Sequence, residues 1–497
     1  MTGPETFRFL NEERTIGEPA DWNDPHAKKL WLYNLHYFDD LNARDARARE
    51  TWHRALMKRW IAENPPGQGN GWEAYPTSLR IVNWVKWALA GNELNTEAVQ
   101  SLAVQARWLR RHLEYHLLGN HLLANAKALV FIGRFFDGAE AEEWRRKGHR
   151  LLERELGVQV LGDGGHFELS PMYHLIILED LLDLINLERT VGHEAPQAWL
   201  DEAHRMQEWA AVMRHPDGDV PFFNDAAMGI APVPRELDAY AQRQGLVDEL
   251  SEASSAVLRD SGYVRIQRGV ATLFVDVAKV GPDYLPGHAH ADSLSFELSI
   301  GGRRLCVNAG TSTYEADALR AWQRGTSAHN TLRIDRENSS EMWAAFRVAR
   351  RAEISVRTVE VEGAHTALEA SHDGYHRLSG SPTHHRSYGL SDHRLIVDDQ
   401  VAGHGEHEIE TFLHIHPEIF VTKMDEMAAE LRLRETGGLL ASLQCYGDGV
   451  LTVEDSYWYP RFGQAVANHR CVFRQQRTQL PSNSGFTIDW AASQLVH

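Results

Sequence analysis

Gly287-His288-Ala289-His290-Ala291-Asp292-Ser293-Leu294-Ser295-Phe296-Glu297-Leu298 sets two histidines, one residue apart, at the entrance to an alternating apolar run. Leu294, Phe296, Leu298 and Ile300 alternate with Ser293, Ser295, Glu297 and Ser299, the period of a half-buried strand, and Gly301-Gly302 supplies a two-residue hairpin turn. On a strand, residues i and i+2 share a face. His288 and His290 are therefore expected to point the same way, where imidazoles can bind a metal, move a proton or hold an anion. Ordinary polar strand edges use the same residues, so the pair acquires chemical meaning only through partners elsewhere.

This run belongs to the second of two halves with different periods. From about Pro25 to Leu250 apolar residues recur at helical spacing, as in Ile177, Leu178, Leu181, Leu182 and Ile185, or Leu122, Leu123, Ala126, Leu129, Val130 and Gly133. After Ser255 short alternating runs take over, among them Thr272–Val277, Leu395–Asp398 and Thr411–His416, separated by Gly, Asp and Asn turns. An all-α domain over residues 1–252 followed by an all-β domain over 253–497 is expected, and 497 residues exceed what one ordinary core organises.

Composition narrows the function classes. The formal net charge of −18 argues against a nucleic-acid partner and gives no long-range attraction for an acidic polymer, so any anion site must be local. Arg320, Arg324, Arg347, Arg350 and Arg351 are candidates for a local basic cleft, against the plainer reading of a solvated charged surface. Cys306, Cys445 and Cys471 are odd in number and widely spaced, which fits reduced buried thiols better than a disulfide framework or zinc cluster. No apolar run approaches the roughly 18 residues of a membrane span, and residues 1–8 lack the apolar core of a secretion signal. A soluble, cytoplasmic chain is expected, or a periplasmic or secreted one if a signal has been removed.

Several motifs together resemble the heparinase II/III family of polysaccharide lyases. They are the His288-Ala-His290 run, Ala328-His329-Asn330-Thr331-Leu332 preceded by Arg320 and Arg324, Leu32-Tyr33-Asn34-Leu35-His36-Tyr37, Gly119-Asn120-His121, Ser170-Pro171-Met172-Tyr173-His174 and Tyr459-Pro460-Arg461-Phe462-Gly463. The resemblance implies an α+β multidomain protein, with an N-terminal incomplete α/α toroid, a C-terminal antiparallel β-sandwich and a cleft between them. It also implies a lyase cutting a uronic-acid-containing acidic polysaccharide by β-elimination, to leave 4,5-unsaturated ends. Glycosaminoglycan, alginate-like and exopolysaccharide substrates are all compatible with it.

β-Elimination needs the C5 carboxylate neutralised, the C5 proton removed and the departing O4 protonated. Ser170-Pro171 reads as a helix N-cap and first position, which puts Tyr173 in the first turn, where the helix dipole favours a phenolate able to act as base and acid. Asn120, read also as an N-cap after the helix breaker Gly119, and His121 are the expected carboxylate and proton-transfer residues, with Asn125 one turn on as the competitor. On the family reading His288 is catalytic or faces the substrate carboxylate, while His290 and His329 are ligands of a structural zinc; no organic cofactor is implied. The family's third ligand is an aspartate, where this chain has Asn308 in Asn308-Ala309-Gly310-Thr311, which weakens zinc binding unless Glu297 or Asp292 compensates. Trp72, Tyr75, Arg80, Tyr314, Arg324 and Tyr375 are candidate sugar contacts, with Asn224-Asp225 and His372 as further cleft candidates. Two rival readings are a zinc hydrolase built on His288, His290 and His329 and a non-catalytic glycan-binding protein.

Overall fold

The computed structural model describes residues 1–246, 254–361 and 366–491. The boundary expected at 252/253 lies outside the described residues. By contacts the chain forms two compact units, residues 1–159 with 180–201, and residues 160–179 with 202–497.

Helices build the first unit: Lys29–Tyr37, Glu50–Glu63, Ala74–Leu89, Thr96–Arg111, Gly119–Phe135 and Ala139–Gln159. Local chemistry sets their ends. Asn95 accepts the Ala98 N–H at 2.8 Å, an N-cap that satisfies one orphan donor of Thr96–Arg111. The helix Gly119–Phe135 is buried nearly all round, from Leu122 to Gly133, as its apolar sequence requires. It begins two residues earlier than expected: Leu118, at φ 58°, is the cap, and Asn120 sits inside the first turn rather than at the N-cap. The hairpin Thr6–Phe9 with Glu12–Thr15 was not anticipated, because Thr-Phe-Arg-Phe and Glu-Glu-Arg-Thr are too short and polar to signal strands.

Two antiparallel sheets dominate the second unit. One holds eight strands in the order Ile354–Glu360, Ala367–His372, Thr383–Leu390, Arg394–Ala402, Ser482–Asp489, Leu439–Tyr446, Ala428–Leu433 and Ile419–Lys423. The other runs Val450–Trp458, Val466–Gln479, Glu406–Ile415, Arg303–Cys306, Phe296–Ile300, Ala271–Asp276, Tyr263–Arg268 and Ala256–Leu258, with Leu332–Ile334 paired to Glu406–Ile415. Their inner faces share one core, in which Leu273, Phe296, Leu298 and Leu413 meet Leu368, Tyr388, Val397 and Leu443. Each such side chain contributes about 1.5–3 kcal/mol of burial. Cys306, Cys445 and Cys471 are free and buried here, as expected.

The histidine run departs from its sequence reading. The strand begins only at Phe296, and Leu294 takes the left-handed conformation at φ 57°, so His288 and His290 lie in the preceding loop and not on a strand face. Nor is the strand half-buried. Its polar face lies under the 215–222 segment, where Glu297 takes the Phe222 N–H (3.0 Å), the Asn308 N–H (2.8 Å) and His215 Nε2 (2.9 Å), while Ser299 Oγ meets His215 Nδ1 (2.7 Å). Alternation marks a strand with two unlike faces, and here hydrogen bonds make the polar face buriable. Gly301 and Gly302, at φ 58° and 79°, do make the expected hairpin turn.

Candidate active site

In the second unit the functional side chains converge on a residue that the sequence offered as one cleft candidate among several, Asp225. Its Oδ2 meets His288 Nδ1 at 2.8 Å and Arg320 Nη2 at 2.7 Å; its Oδ1 meets His290 Nε2 at 2.8 Å, Thr311 Oγ1 at 3.2 Å and Arg320 Nη1. Asp225 and Arg320 are fully buried. Burial alone would push the Asp225 carboxyl up, but the Arg320 guanidinium and the two histidines hold it well below the usual carboxylate range. An ionised carboxylate only accepts, so His288 donates through Nδ1–H and His290 through Nε2–H. This leaves His288 Nε2 as the nitrogen free to exchange a proton, and 15% of the side chain is exposed.

Three features fix this geometry. The Asp225 N–H donates to His288 O at 3.0 Å, and the His290 N–H donates to Asn224 Oδ1 at 3.0 Å, locking the two loops together through Asn224, itself at φ 55°. Arg320 rides on the short helix Ala318–Gln323, capped by Asp317, which accepts the Arg320 N–H at 2.8 Å. Arg324 donates to Ala289 O at 3.0 Å and to Ala344 O at 3.1 Å. It is fully buried, and burial with Arg320 nearby lowers it to about 10. Its role is to hold backbone, so the expected sugar contact is corrected: Arg324 has no surface to offer.

Tyr173 completes the group. Ser170 caps its helix, Pro171–Thr190, by accepting the Tyr173 N–H at 3.2 Å, as the sequence suggested. The Tyr173 ring lies 4.1 Å from the His288 ring, and its hydroxyl is 3.0 Å from that of Tyr314. The helix-dipole argument for a lowered phenol does not hold here. Burial, with Tyr314 and Asp225 beside it, pushes Tyr173 well above its ordinary value, so the resting side chain is a neutral phenol. Glu168 Oε2 lies 3.7 Å from His288 Nε2, and Phe346 packs edge-on against His288 at 5.9 Å. Neither residue was singled out from sequence.

His290 Nδ1 and His329 Nε2 face each other at 3.3 Å, and Asp292 joins them, all ligand atoms lying within 4.8 Å of one another. Burial holds the two imidazoles down to about 4 and about 3, so their lone pairs are open to a cation at neutral pH. Two nitrogens and a carboxylate fit zinc. The compensating carboxylate is Asp292 and not Glu297, which is committed to His215 and Arg304. Asn308 has its Oδ1 occupied by the Asn330 N–H at 3.0 Å.

In the first unit His121 Nδ1 lies 3.1 Å from Glu114 Oε1, and its ring lies 4.4 Å from the Tyr75 ring, with 29% of the side chain exposed. Asn120 is buried next to it in sequence. Asn125 is spent internally: its oxygen takes the Glu114 N–H at 2.9 Å, and its amide donates to Ser78 Oγ and Glu114 Oε2. Trp72, Arg80 and Tyr375 are likewise corrected. Trp72 is buried, its indole donating to Asn64 O. Arg80 is fully buried, 3.8 Å over the Trp60 ring and bonded to Gln105 and His36. Tyr375 is fully buried and donates to Leu332 O, and His372 is buried against His384. Aromatic and Arg side chains serve packing and sugar contact alike, so sequence could not separate them.

Among the described residues no helix is long and apolar enough to cross a membrane. Residues 34–243 match the family model described as "Heparinase II/III N-terminus", and residues 251–491 match "Heparinase II/III-like, C-terminal". The chain is 26% identical over 362 residues to a heparin-sulfate lyase of Bacteroides stercoris, covering 68% of this chain and 52% of that protein. It is 25% identical over 401 residues to the FtsZ-localized protein C of Caulobacter vibrioides, covering 78% and 66%. It spans about half the length of the heparin-sulfate lyases it matches. The crystal structure of heparinase III superimposes with a TM-score of 0.76 at 18% identity, over 97% of this chain and 78% of that one. The fold is thus an α-toroid-like helical region followed by antiparallel β-sheets.

Proposed function

Because the chain belongs to the heparinase II/III family, we propose that it is a polysaccharide lyase that cleaves a uronate-containing polysaccharide by β-elimination. The observation that carries this reading is the Asp225–His288–Tyr173 arrangement. Asp225 fixes the His288 tautomer that keeps the lone pair on Nε2, and a partly exposed imidazole beside a buried phenol sets a base next to an acid. His288 Nε2 takes the C5 proton, the C4–O4 bond breaks with its electron pair leaving on O4, and Tyr173 protonates that oxygen. The product gains a C4=C5 double bond, and the proton on His288 returns to the Tyr173 phenolate. Glu168 and Asp225 favour the imidazolium in between.

Asn120 and His121 are assigned to the uronate carboxylate on the family resemblance, with Tyr75 as a sugar contact. Tyr314, which shares a hydrogen bond with Tyr173, holds the phenol in place. His290, Asp292 and His329 would hold a zinc ion, whose chemistry there is to tie the His288–Asp292 loop to the His329 segment. Their near-complete burial leaves no open position for a reacting water, which favours elimination over zinc-dependent hydrolysis. Heparan sulfate, named for the structurally similar lyase of Pedobacter heparinus, is the first polymer to try. A panel of heparan sulfate, alginate and hyaluronan, followed by ultraviolet absorbance of unsaturated ends, tests the proposal; no absorbance with any uronate polymer would count against it.

A further inference from the structure

Met342–Trp343 pairs antiparallel with Arg347–Val348, making a small hairpin whose tip reads Trp343-Ala344-Ala345-Phe346-Arg347. Exposed turns ordinarily carry Gly, Asn, Asp or Ser. This tip has none of them, and it leaves 58% of Trp343 and 41% of Phe346 exposed. Its backbone is what the protein grips. Arg320 Nε donates to Ala345 O at 3.1 Å, and Arg324 Nη1 donates to Ala344 O at 3.1 Å and Arg347 O at 3.2 Å. Both guanidiniums are buried, and both also hold the histidine site, Arg320 through Asp225 and Arg324 through Ala289 O. Carbonyls turned inward with aromatic rings turned outward is the reverse of a solvated turn.

The hairpin is continuous with the site. The Phe346 ring is 5.2 Å from Tyr314 and 5.9 Å from His288. Trp343 and Arg347 are cross-strand partners, which puts an indole and a guanidinium on one face. Exposed aromatic rings offer apolar faces to pyranose rings, and an exposed arginine offers a forked donor to an anion. On a chain with a net charge of −18, attraction for an acidic polymer must come from such local cations.

We propose that this hairpin is a sugar-binding subsite next to the reacting residue, with Trp343 and Phe346 stacking on the adjoining pyranose and Arg347 pairing with its anionic group. The ligand class rests on the lyase reading; the location rests on the hairpin itself. The test separates the two by measuring binding apart from turnover. Heparan sulfate, alginate and hyaluronan are titrated against Tyr173→Phe, and the polymer bound most tightly is then titrated against Tyr173→Phe carrying Trp343→Ala or Arg347→Gln. Affinity is expected to fall about tenfold or more for each second change. The Arg347→Gln effect should also shrink as salt is raised. In the Tyr173 background KM should rise far more than kcat falls. Affinity within twofold of the parent for both variants, with an unchanged melting transition, would overturn the subsite, as would a parent that binds none of the polymers. Loss of binding in the variants without unsaturated products from any polymer would sustain the subsite and sink the lyase reading.

Discussion

Replacing Asp225 by asparagine removes one charge and converts one acceptor oxygen into a donor, at a position where five donated hydrogen bonds from four residues converge. The new amide N–H₂ must face a donor it cannot bond. If it faces His288, the ring turns to the other tautomer to accept, and Nε2 carries a proton where the mechanism needs a lone pair. Losing the base in this way should lower kcat on the order of 10² to 10⁴. Arg320, fully buried, also loses its counter-charge, which costs about 3–5 kcal/mol of stability. The two effects separate experimentally. Steady-state turnover on the panel's best substrate reports the rate, urea unfolding reports the stability, and the pH profile identifies the cause, because a tautomer fault removes the limb that reports the base. An unstable but competent enzyme would keep the profile and lose only the folded fraction. An Asp225→Asn protein that retains kcat within threefold, with its pH limb in place, would refute the role given to Asp225.

Tyr173→Phe keeps the ring against His288 and deletes only the proton donor, so kcat should fall about 10²- to 10⁴-fold with the melting transition kept; near-normal turnover would remove Tyr173 from the reaction. Zinc, where elemental analysis finds it, should disappear from both His290→Ala and Asp292→Asn, and chelation should leave turnover within about tenfold if the ion only ties loops together. Zinc retained by both variants would put it elsewhere. His36 is fully buried, donating to Trp22 O from Nε2 and accepting the Trp60 indole at Nδ1, and burial, then Arg80, holds it down to about 3. Its stabilising contribution is present above its unfolded value near 6.5 and is lost as the pH falls toward about 3, so urea unfolding should show the gap between wild type and His36→Gln narrowing by about 1.5 kcal/mol from pH 6.5 to 5. A constant gap would mean that His36 is not held neutral.

The order of helix and strand was legible because apolar period is a local property: the stripe from Ile177 to Ile185 and the alternation from Thr272 to Val277 both became the expected elements. The Ser170-Pro171 helix start was legible for the same reason. The Asp225 hub was not. Its five hydrogen bonds come from residues 63 to 95 positions away, and nothing local to Asn224-Asp225 distinguishes a buried carboxylate from a turn residue. The strand assignment at His288 failed because Leu294 takes the left-handed conformation and the strand begins only at Phe296, while backbone hydrogen bonds to Glu297 bury the polar face that alternation had marked as exposed. Asp292 joins His290 and His329 in a group that could hold a metal only because the loop brings it close to His329, 37 positions away in sequence.

The central claim is that the bond breaks by elimination, so the most direct measurement is mass spectrometry of the products made from a uronate polymer and from the same polymer with its carboxyls reduced. Tyr173, His288 and the carboxylate-stabilised transition state predict new ends lighter by one water than hydrolysis would leave, and no cleavage of the reduced polymer. Saturated ends, or cutting of the carboxyl-reduced chain, would contradict it.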